Sequence, residues 1–408
     1  MKKISMIKNN ITDALFENQL KEKEDTPAVK LLNQLLNTGY IRGASDIHIE
    51  PQEEYVLIRM RVDGLLTEYM RVEKEIHQPL ITCAKILSGM DIAEKRLPQD
   101  GHCKTIVQEK ELHIRTSSVP TVFGEKIVLR FLNMEVPVDR AERFGMSEEN
   151  YQKICNILKR PSGIIYFTGP TGSGKTTTLY MILEWLKQNP LNIMTIEDPV
   201  EKTIEGISQI QTNEQAGLTF EKGLRAILRQ DPDVIMVGET RDSLTAGTSV
   251  RAAITGHLVM STLHTRNAVG AMIRLMDMGV EPYLAANSLS GVVAQRLVRK
   301  ICPHCAGERI LSKDEADAYG LKVRKIRYGT GCEECNGTGY KGRMAVHEVV
   351  MIDKEMRSMI ARSCTEEELL SYVLRTQNLR TLKEEITQLA EDGVTTVEEL
   401  LRLTYGEG

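Results

Sequence analysis

Residues 164–176 read Ile164-Ile165-Tyr166-Phe167-Thr168-Gly169-Pro170-Thr171-Gly172-Ser173-Gly174-Lys175-Thr176, an apolar run that breaks into a glycine loop ending in Lys-Thr. Leu179, Ile182, Leu183 and Leu186 follow at helical spacing. A strand, a loop of pattern G-x-x-x-x-G-K-[ST] and a helix in that order mark a phosphate-binding loop. The glycines leave backbone N–H groups free to converge on phosphate oxygens, and the helix N-terminus adds positive potential. All eight residues 169–176 are expected to bind ATP, with Lys175 on the β- and γ-phosphates and Thr176 on Mg2+. The competing reading is a glycine-rich turn with a chance lysine, and the flanking strand and helix speak against it.

Outward from the loop, residues 193–196, 234–237 and 258–263 are further apolar runs separated by helical patterns. Strands alternating with helices predict an α/β fold with a mostly parallel sheet covered on both faces. The run 234–237 ends in Gly238-Glu239, which places a carboxylate at the C-terminal edge of the sheet, where ligands of such sheets bind. Glu239 is the first catalytic candidate, a group to orient water. The position before it, often an aspartate, is Gly238, so the metal is expected to lean on Thr176 and water. A second acidic strand end, Thr195-Ile196-Glu197-Asp198-Pro199-Val200-Glu201, makes Glu197 a competing candidate, against the plain reading of an acidic surface loop. His257 and His264 flank the run 258–263, and His264 is a candidate sensor of the γ-phosphate.

Residues 1–25 form a polar lead without the apolar core of a secretory signal. Thr26-Pro27 then predicts a helix start, and Gly39 its end. Alternating segments around 46–50, 55–62, 112–115 and 127–131, with Asp63-Gly64 as a hairpin turn, predict a small α+β domain over residues 26–135. The α/β core is assigned to 136–300, a cysteine-bearing insert to 301–345 and a helical C-terminal part to 346–408. Thr365 with Glu368, and Thr396 with Glu399, predict two capping boxes there.

Cys302-Pro303-His304-Cys305 and Cys332-Glu333-Glu334-Cys335 are two C-x-x-C pairs. Four thiolates with no open position predict a structural Zn2+ site. Cys83, Cys103, Cys155 and Cys364 have no partner spacing and read as packing residues. The 408 residues carry 52 Lys+Arg against 56 Asp+Glu, a net charge of −4, which offers no global attraction to nucleic acid. No apolar window reaches membrane-spanning length, so the expected location is cytoplasmic.

Taken together, the phosphate loop, Ile-Glu-Asp-Pro-Val-Glu (196–201), Arg-Gln-Asp-Pro-Asp-Val-Ile-Met-Val-Gly-Glu (229–239), Thr-Gly-His-Leu-Val-Met-Ser-Thr-Leu-His-Thr (255–265) and the paired cysteines resemble the secretion ATPase superfamily. The closest branch is that of the type II secretion and type IV pilus assembly ATPases. The resemblance runs from about residue 44 to 396, and includes Asp-Ile-Ala-Glu-Lys-Arg-Leu-Pro-Gln-Asp-Gly (91–101). It implies a RecA-like ATPase domain in a homo-hexameric ring, recruited to the inner face of the cytoplasmic membrane by a platform protein and driving filament assembly. Many such relatives carry further N-terminal docking domains, in contrast to the short polar lead here.

Arginines complete the candidate list. Arg225 and Arg229, four apart on the helix expected after Thr219, repel unless an anion lies between them. Arg115 and Arg130 alternate away from apolar neighbours on their strands. The resemblance matches these four, with Arg241, to positions that contact nucleotide or link domains. Competing expectations are a pilus retraction ATPase, which typically lacks the tetracysteine insert, and a nucleic-acid motor or zinc-ribbon binder. One Trp and six Phe supply few stacking platforms for the latter. A nucleotide-gated scaffold with little turnover is the last alternative.

Overall fold

The computed structural model describes residues 26–132, 134 and 138–405; the polar lead expected over 1–25 lies outside them. Two compact units divide between residues 136 and 137. No helix among the described residues is long and apolar enough to cross a membrane.

The first unit runs α1 (Pro27–Ile41), β1 (Ala44–Pro51), β2 (Tyr55–Val62), β3 (Leu65–Glu73), α2 (His77–Leu87), β4 (Gln99–Val107), β5 (Lys110–Thr121) and β6 (Gly124–Phe131). Its antiparallel sheet has the order β3-β2-β1-β6-β5-β4. Strand alternation places Ile47, Ile49, Ile58, Ile114, Ile127 and Leu129 on one face, buried with Leu32, Leu35 and Leu36 of α1 and Leu80 and Ile81 of α2. Asp63 and Gly64 both take positive φ between β2 and β3, as a tight hairpin requires. Two local expectations are corrected. Thr26 precedes α1 but its side chain makes no capping hydrogen bond, so Pro27 alone sets the start. Gly39 does not end α1 but lies inside it, where a Cβ would come within 2.9 Å of Ile47 Cδ1, so it is a site of close helix-to-sheet approach.

The second unit continues with α3 (Glu148–Leu158), β7 (Gly163–Thr168), α4 (Lys175–Leu186), β8 (Ile193–Glu197), β9 (Ser208–Gln211), α5 (Phe220–Ile227), β10 (Val234–Val237), α6 (Ser243–Ile254), β11 (Leu258–Leu263), α7 (Ala268–Asp277), α8 (Pro282–Ser288) and β12 (Leu289–Ile301). Then follow β13 (Ala306–Ile310), α9 (Lys313–Tyr319), β14 (Lys325–Gly329), β15 (Tyr340–Met351), α10 (Lys354–Ala361), α11 (Glu366–Thr376), α12 (Leu382–Glu391) and α13 (Val397–Tyr405). The seven-stranded sheet has the order β15-β12-β7-β11-β10-β8-β9. It is parallel except for β15, which pairs antiparallel with β12. Strands β7, β8, β10 and β11 are buried at every residue. One core lies on each face: Ile154, Ile182 and Leu183 pack with Ile165 and Met236 on one, and Val250, Met272 and Ile360 with Ile235 and Val259 on the other.

Strand β15 crosses the boundary expected at 345/346, so the insert returns the chain directly to the main sheet. The capping box at Thr365 and Glu368 is complete. The one at Thr396 is half formed: the Glu399 N–H donates to Thr396 Oγ1 at 3.2 Å, but the Glu399 carboxylate accepts from the Arg299 N–H and pairs with the guanidinium of Arg299, which outcompetes the cap.

Candidate functional site

The phosphate loop leaves β7 at Thr168 and enters α4 at Lys175. Gly169, Gly172 and Gly174 all take positive φ, which frees the backbone for the cradle. The loop is braced from beneath by β12. Gln295 Nε2 donates to Ser173 O at 3.0 Å, and Gln295 O is 2.4 Å from where a Cβ on Gly169 would stand. Arg296 is buried beside it, with Nη1 donating to Gln295 O at 3.0 Å and Nη2 to Arg266 O at 2.7 Å. Neither residue stood out in the sequence. They belong to an apolar-looking strand, and only the pairing of β12 with β7 sets them against the loop.

Lys175 is buried and donates to the carbonyls of Gly169 at 2.7 Å and Pro170 at 3.0 Å. Burial, with the Arg296 guanidinium nearby, pulls its ammonium down to about 8, partly offset by the Glu239 carboxylate. Ser173 Oγ is buried with no hydrogen-bond partner. Thr176 is half-buried at the start of α4. Pro170, Thr171 and Gly172 form the open rim.

Glu239 follows β10 at the C-terminal edge of the sheet, mostly buried, and pairs with Arg241 Nη2 at 2.6 Å. His264 lies in the same neighbourhood. Desolvation and the Lys175 ammonium hold its ring below the ordinary imidazole range, while Glu239 and the Gly169 backbone oppose that shift. The structure thus brings Lys175, Glu239, Arg241 and His264 to one place. His257 is elsewhere, its Nδ1 within 2.9 Å of Ala252 O at the opposite end of β11. Glu197 ends β8 and is 3% exposed, gathered by Tyr180, Thr195 and Gln209. Its burial corrects the picture of an open acidic loop end at Glu197.

Arg225 lies exposed on α5, where it pairs with Glu221 at 2.7 Å. Arg229 falls just past the end of α5, and its Nη1 donates to Arg225 O at 2.7 Å, so the two do not share one continuous helical face. In the first unit, Arg115 and Arg130 sit opposite each other in the register of β5 and β6. Arg130 Nε donates to Asp46 Oδ1 at 2.7 Å, and Arg115 lies 3.7 Å from Asp100.

The second cluster is the cysteine set. Cys302 follows β12, Cys305 precedes β13, and Cys332 and Cys335 precede β15. Their sulfurs all lie within 4.8 Å of one another, with Cys302–Cys332 at 3.9, Cys305–Cys335 at 3.8 and Cys332–Cys335 at 3.7 Å. A tetrahedron of Zn–S bonds of about 2.3 Å has edges of about 3.8 Å, so the donor set and its spacing fit zinc. Against the cost of burial, the N–H groups of Cys332 and Gly339, each 3.2 Å from Cys335 Sγ, bring that thiol down to about 6. Of the other cysteines, Cys103 and Cys155 are buried and Cys83 and Cys364 half-buried.

A phosphate loop at the end of a buried parallel sheet, with a carboxylate and a histidine converging on its lysine, defines the class of phosphate-loop ATPases. Residues 21–402 match the family model described as Type II/IV secretion system protein, and the chain belongs to that family. It is 44% identical over 392 residues to the type II secretion system protein E of Pectobacterium carotovorum subsp. carotovorum, covering 96% of this chain and 78% of the relative. It is equally 44% identical over 393 residues to the type IV pilus assembly ATPase PilB of Thermus thermophilus, covering 94% of this chain but 44% of that longer protein. Among solved structures, the ADP-bound pilus retraction motor PilT superposes with a TM-score of 0.62 at 25% identity, over 91% of this chain and 96% of PilT. The ATPase DotB of Legionella pneumophila gives 0.67 at 22% identity over 92% and 95%, a likeness of fold.

Proposed function

We propose that this chain is an ATP-hydrolysing motor that powers assembly of a type IV pilus or a secretion or competence pseudopilus. The observation that carries the reading is the convergence of Glu239 and His264 on Lys175, with Arg241 paired to Glu239, in a chain 44% identical to secretion and pilus assembly ATPases. Lys175 rests on two carbonyls, and an incoming phosphate gives its ammonium a full counter-charge. Glu239 is placed to accept a proton from the attacking water, and Arg241 must release it first, so Arg241 gates the carboxylate. His264 reads the terminal phosphate from the neighbouring strand end. A resident Mg2+ would be held by the Thr176 hydroxyl and water, and when bound would neutralise the charge of the phosphates. Zn2+ is held by Cys302, Cys305, Cys332 and Cys335.

The motor works as a ring of six copies at the inner face of the cytoplasmic membrane, docked on a platform protein, with Arg115, Arg130, Arg225 and Arg229 relaying the phosphate state. The likeness to PilT favours retraction as a second reading, and the tetracysteine insert weighs for assembly. Steady-state ATPase measurements test the chemistry: Glu239→Gln should keep nucleotide affinity and lower kcat by roughly 10²-fold or more, as loss of a general base does. Full turnover in that variant removes Glu239 from the mechanism.

A further inference from the structure

In the antiparallel register of β12 and β15, Gln295 stands directly opposite His347. Residues paired in this way send their side chains to one face of the sheet. Here it is the face of α3 and α4, because the neighbouring pair, Val293 and Val349, packs there with Phe144, Met146 and Leu179. Both polar side chains are 1% exposed. The Gln295 amide is oriented by its Nε2, which donates to Ser173 O at 3.0 Å and leaves Oε1 a buried acceptor with no hydrogen-bond partner. His347 Nε2 is likewise buried and unmatched, although Asn150 Nδ2 of α3 donates to the His347 carbonyl at 2.8 Å. Burial brings the His347 imidazole down to about 3, so the ring is neutral. A buried polar atom left unmatched is costly, and two on one rung of the sheet call for a shared partner.

The backbones lying on the two ends of this rung give it a use. At Gln295 it is the phosphate loop: a Cβ on Gly174 would be 2.9 Å from Gln295 Nε2 and 3.5 Å from Leu297 Cδ1. At His347 it is the segment that leads into α3: a Cβ on Gly145 would be 3.6 Å from Ala345 Cβ and 3.7 Å from His347 Cε1. Leu297 and Ala345 are themselves a pair in the same register. Two successive rungs of the β12–β15 ladder therefore run from the loop glycine to Gly145.

We propose that one ordered water bridges the His347 ring to Gln295 Oε1, and that through it His347 is a positioning residue for the phosphate loop. The bridge fixes the plane of the Gln295 amide, and the fixed amide holds Ser173 O and the loop backbone beyond it. The proposal deepens the nucleotide reading of that loop and rests on it.

The experiment compares His347→Gln with His347→Met, two unbranched side chains of similar length of which only the first carries polar atoms for the water. The readouts are fluorescence anisotropy of a mant-labelled ADP and thermal melting. His347→Met should weaken ADP binding about fivefold, the scale of one lost hydrogen bond, and His347→Gln should restore it to within about twofold of the parent. In a Gln295→Met background, His347→Met should cost nothing further, because it acts through the Gln295 amide. If His347→Met melts too low to titrate, the histidine ring-nitrogen NMR signal missing from His347→Gln identifies His347 in the parent, and that signal should shift when ADP saturates the loop. Equal losses in the two variants, parental affinity in His347→Met, an undiminished effect in the Gln295→Met background, a His347 signal unmoved by ADP, or a His347→Gln variant that does not fold overturns this proposal alone. A parent protein that binds no ADP overturns the nucleotide reading, and this proposal with it.

Discussion

The phosphate loop and the tetracysteine cluster lie along one strand, β12, which braces the loop at Gln295 and Arg296 and delivers Cys302 seven residues after Gln295. They are built on opposite terms. At the loop, polar groups wait for a partner: Ser173 Oγ is buried and unmatched, and Lys175 is held on carbonyls with its charge discouraged. At the cysteines, the sulfurs already stand at tetrahedral spacing and backbone N–H groups point at Cys335. A site that must bind and release keeps part of its interaction energy unmade, whereas a structural site is preorganised to hold its ion permanently.

The sharpest test of this contrast is a pair of substitutions with crossed effects. Lys175→Ala should lose ADP binding by about 10²-fold or more while melting near the parent, since only the ligand completes that group. Cys302→Ser should lower the melting temperature by about 5 °C or more and release zinc to a chromophoric chelator, with a smaller loss of ADP affinity. Metal analysis of the parent should return about one zinc per chain. If both variants fail in the same assay, the two sites are not separable in the way the geometry implies.

A smaller effect should appear with pH. Lys175 must be protonated to pair with phosphate; its pKa is about 8 in the free protein and rises on binding, so binding above pH 8 takes up a proton. Affinity for ADP should be flat below pH 7.5 and fall by about tenfold for each pH unit above 8, until the bound lysine itself titrates. Isothermal titration in two buffers of different ionisation enthalpy reads the proton uptake, and a flat profile to pH 9.5 would place the lysine differently. The smallest effects belong to the first unit. Arg115→Ala and Arg130→Ala should leave ADP affinity within about twofold and lower turnover by about three- to tenfold, as expected when an interaction is made only during the cycle. Parental turnover in both would leave the first unit as a spacer.

Much of this was legible along the chain. The phosphate loop, the strands of the α/β sheet and the paired cysteines are contiguous or closely spaced, so local pattern and residue chemistry suffice. The position of Glu239 at the sheet edge could be read because strand ends deliver side chains to one edge of a parallel sheet. Gly39 misled because a glycine near a helix end reads as a stop, whereas its role is contact with Ile47 and Phe131, residues distant in sequence. Glu399 misled in the same way, since its cap is local and the charge that captured it, Arg299, is a hundred residues away.

By itself the sequence singled out which side chains are candidates for the chemistry, since motif spacing and hydrophobic period are local quantities. What only the tertiary structure decided is how those groups are held: Arg296 and Gln295 under the loop, Arg241 on Glu239, Tyr180 on Glu197, and the burial that shifts Lys175. Each depends on which strands lie side by side, and that order is fixed by close packing of the whole sheet, where hydrogen bonds and desolvation act over a few ångströms between residues far apart in the chain.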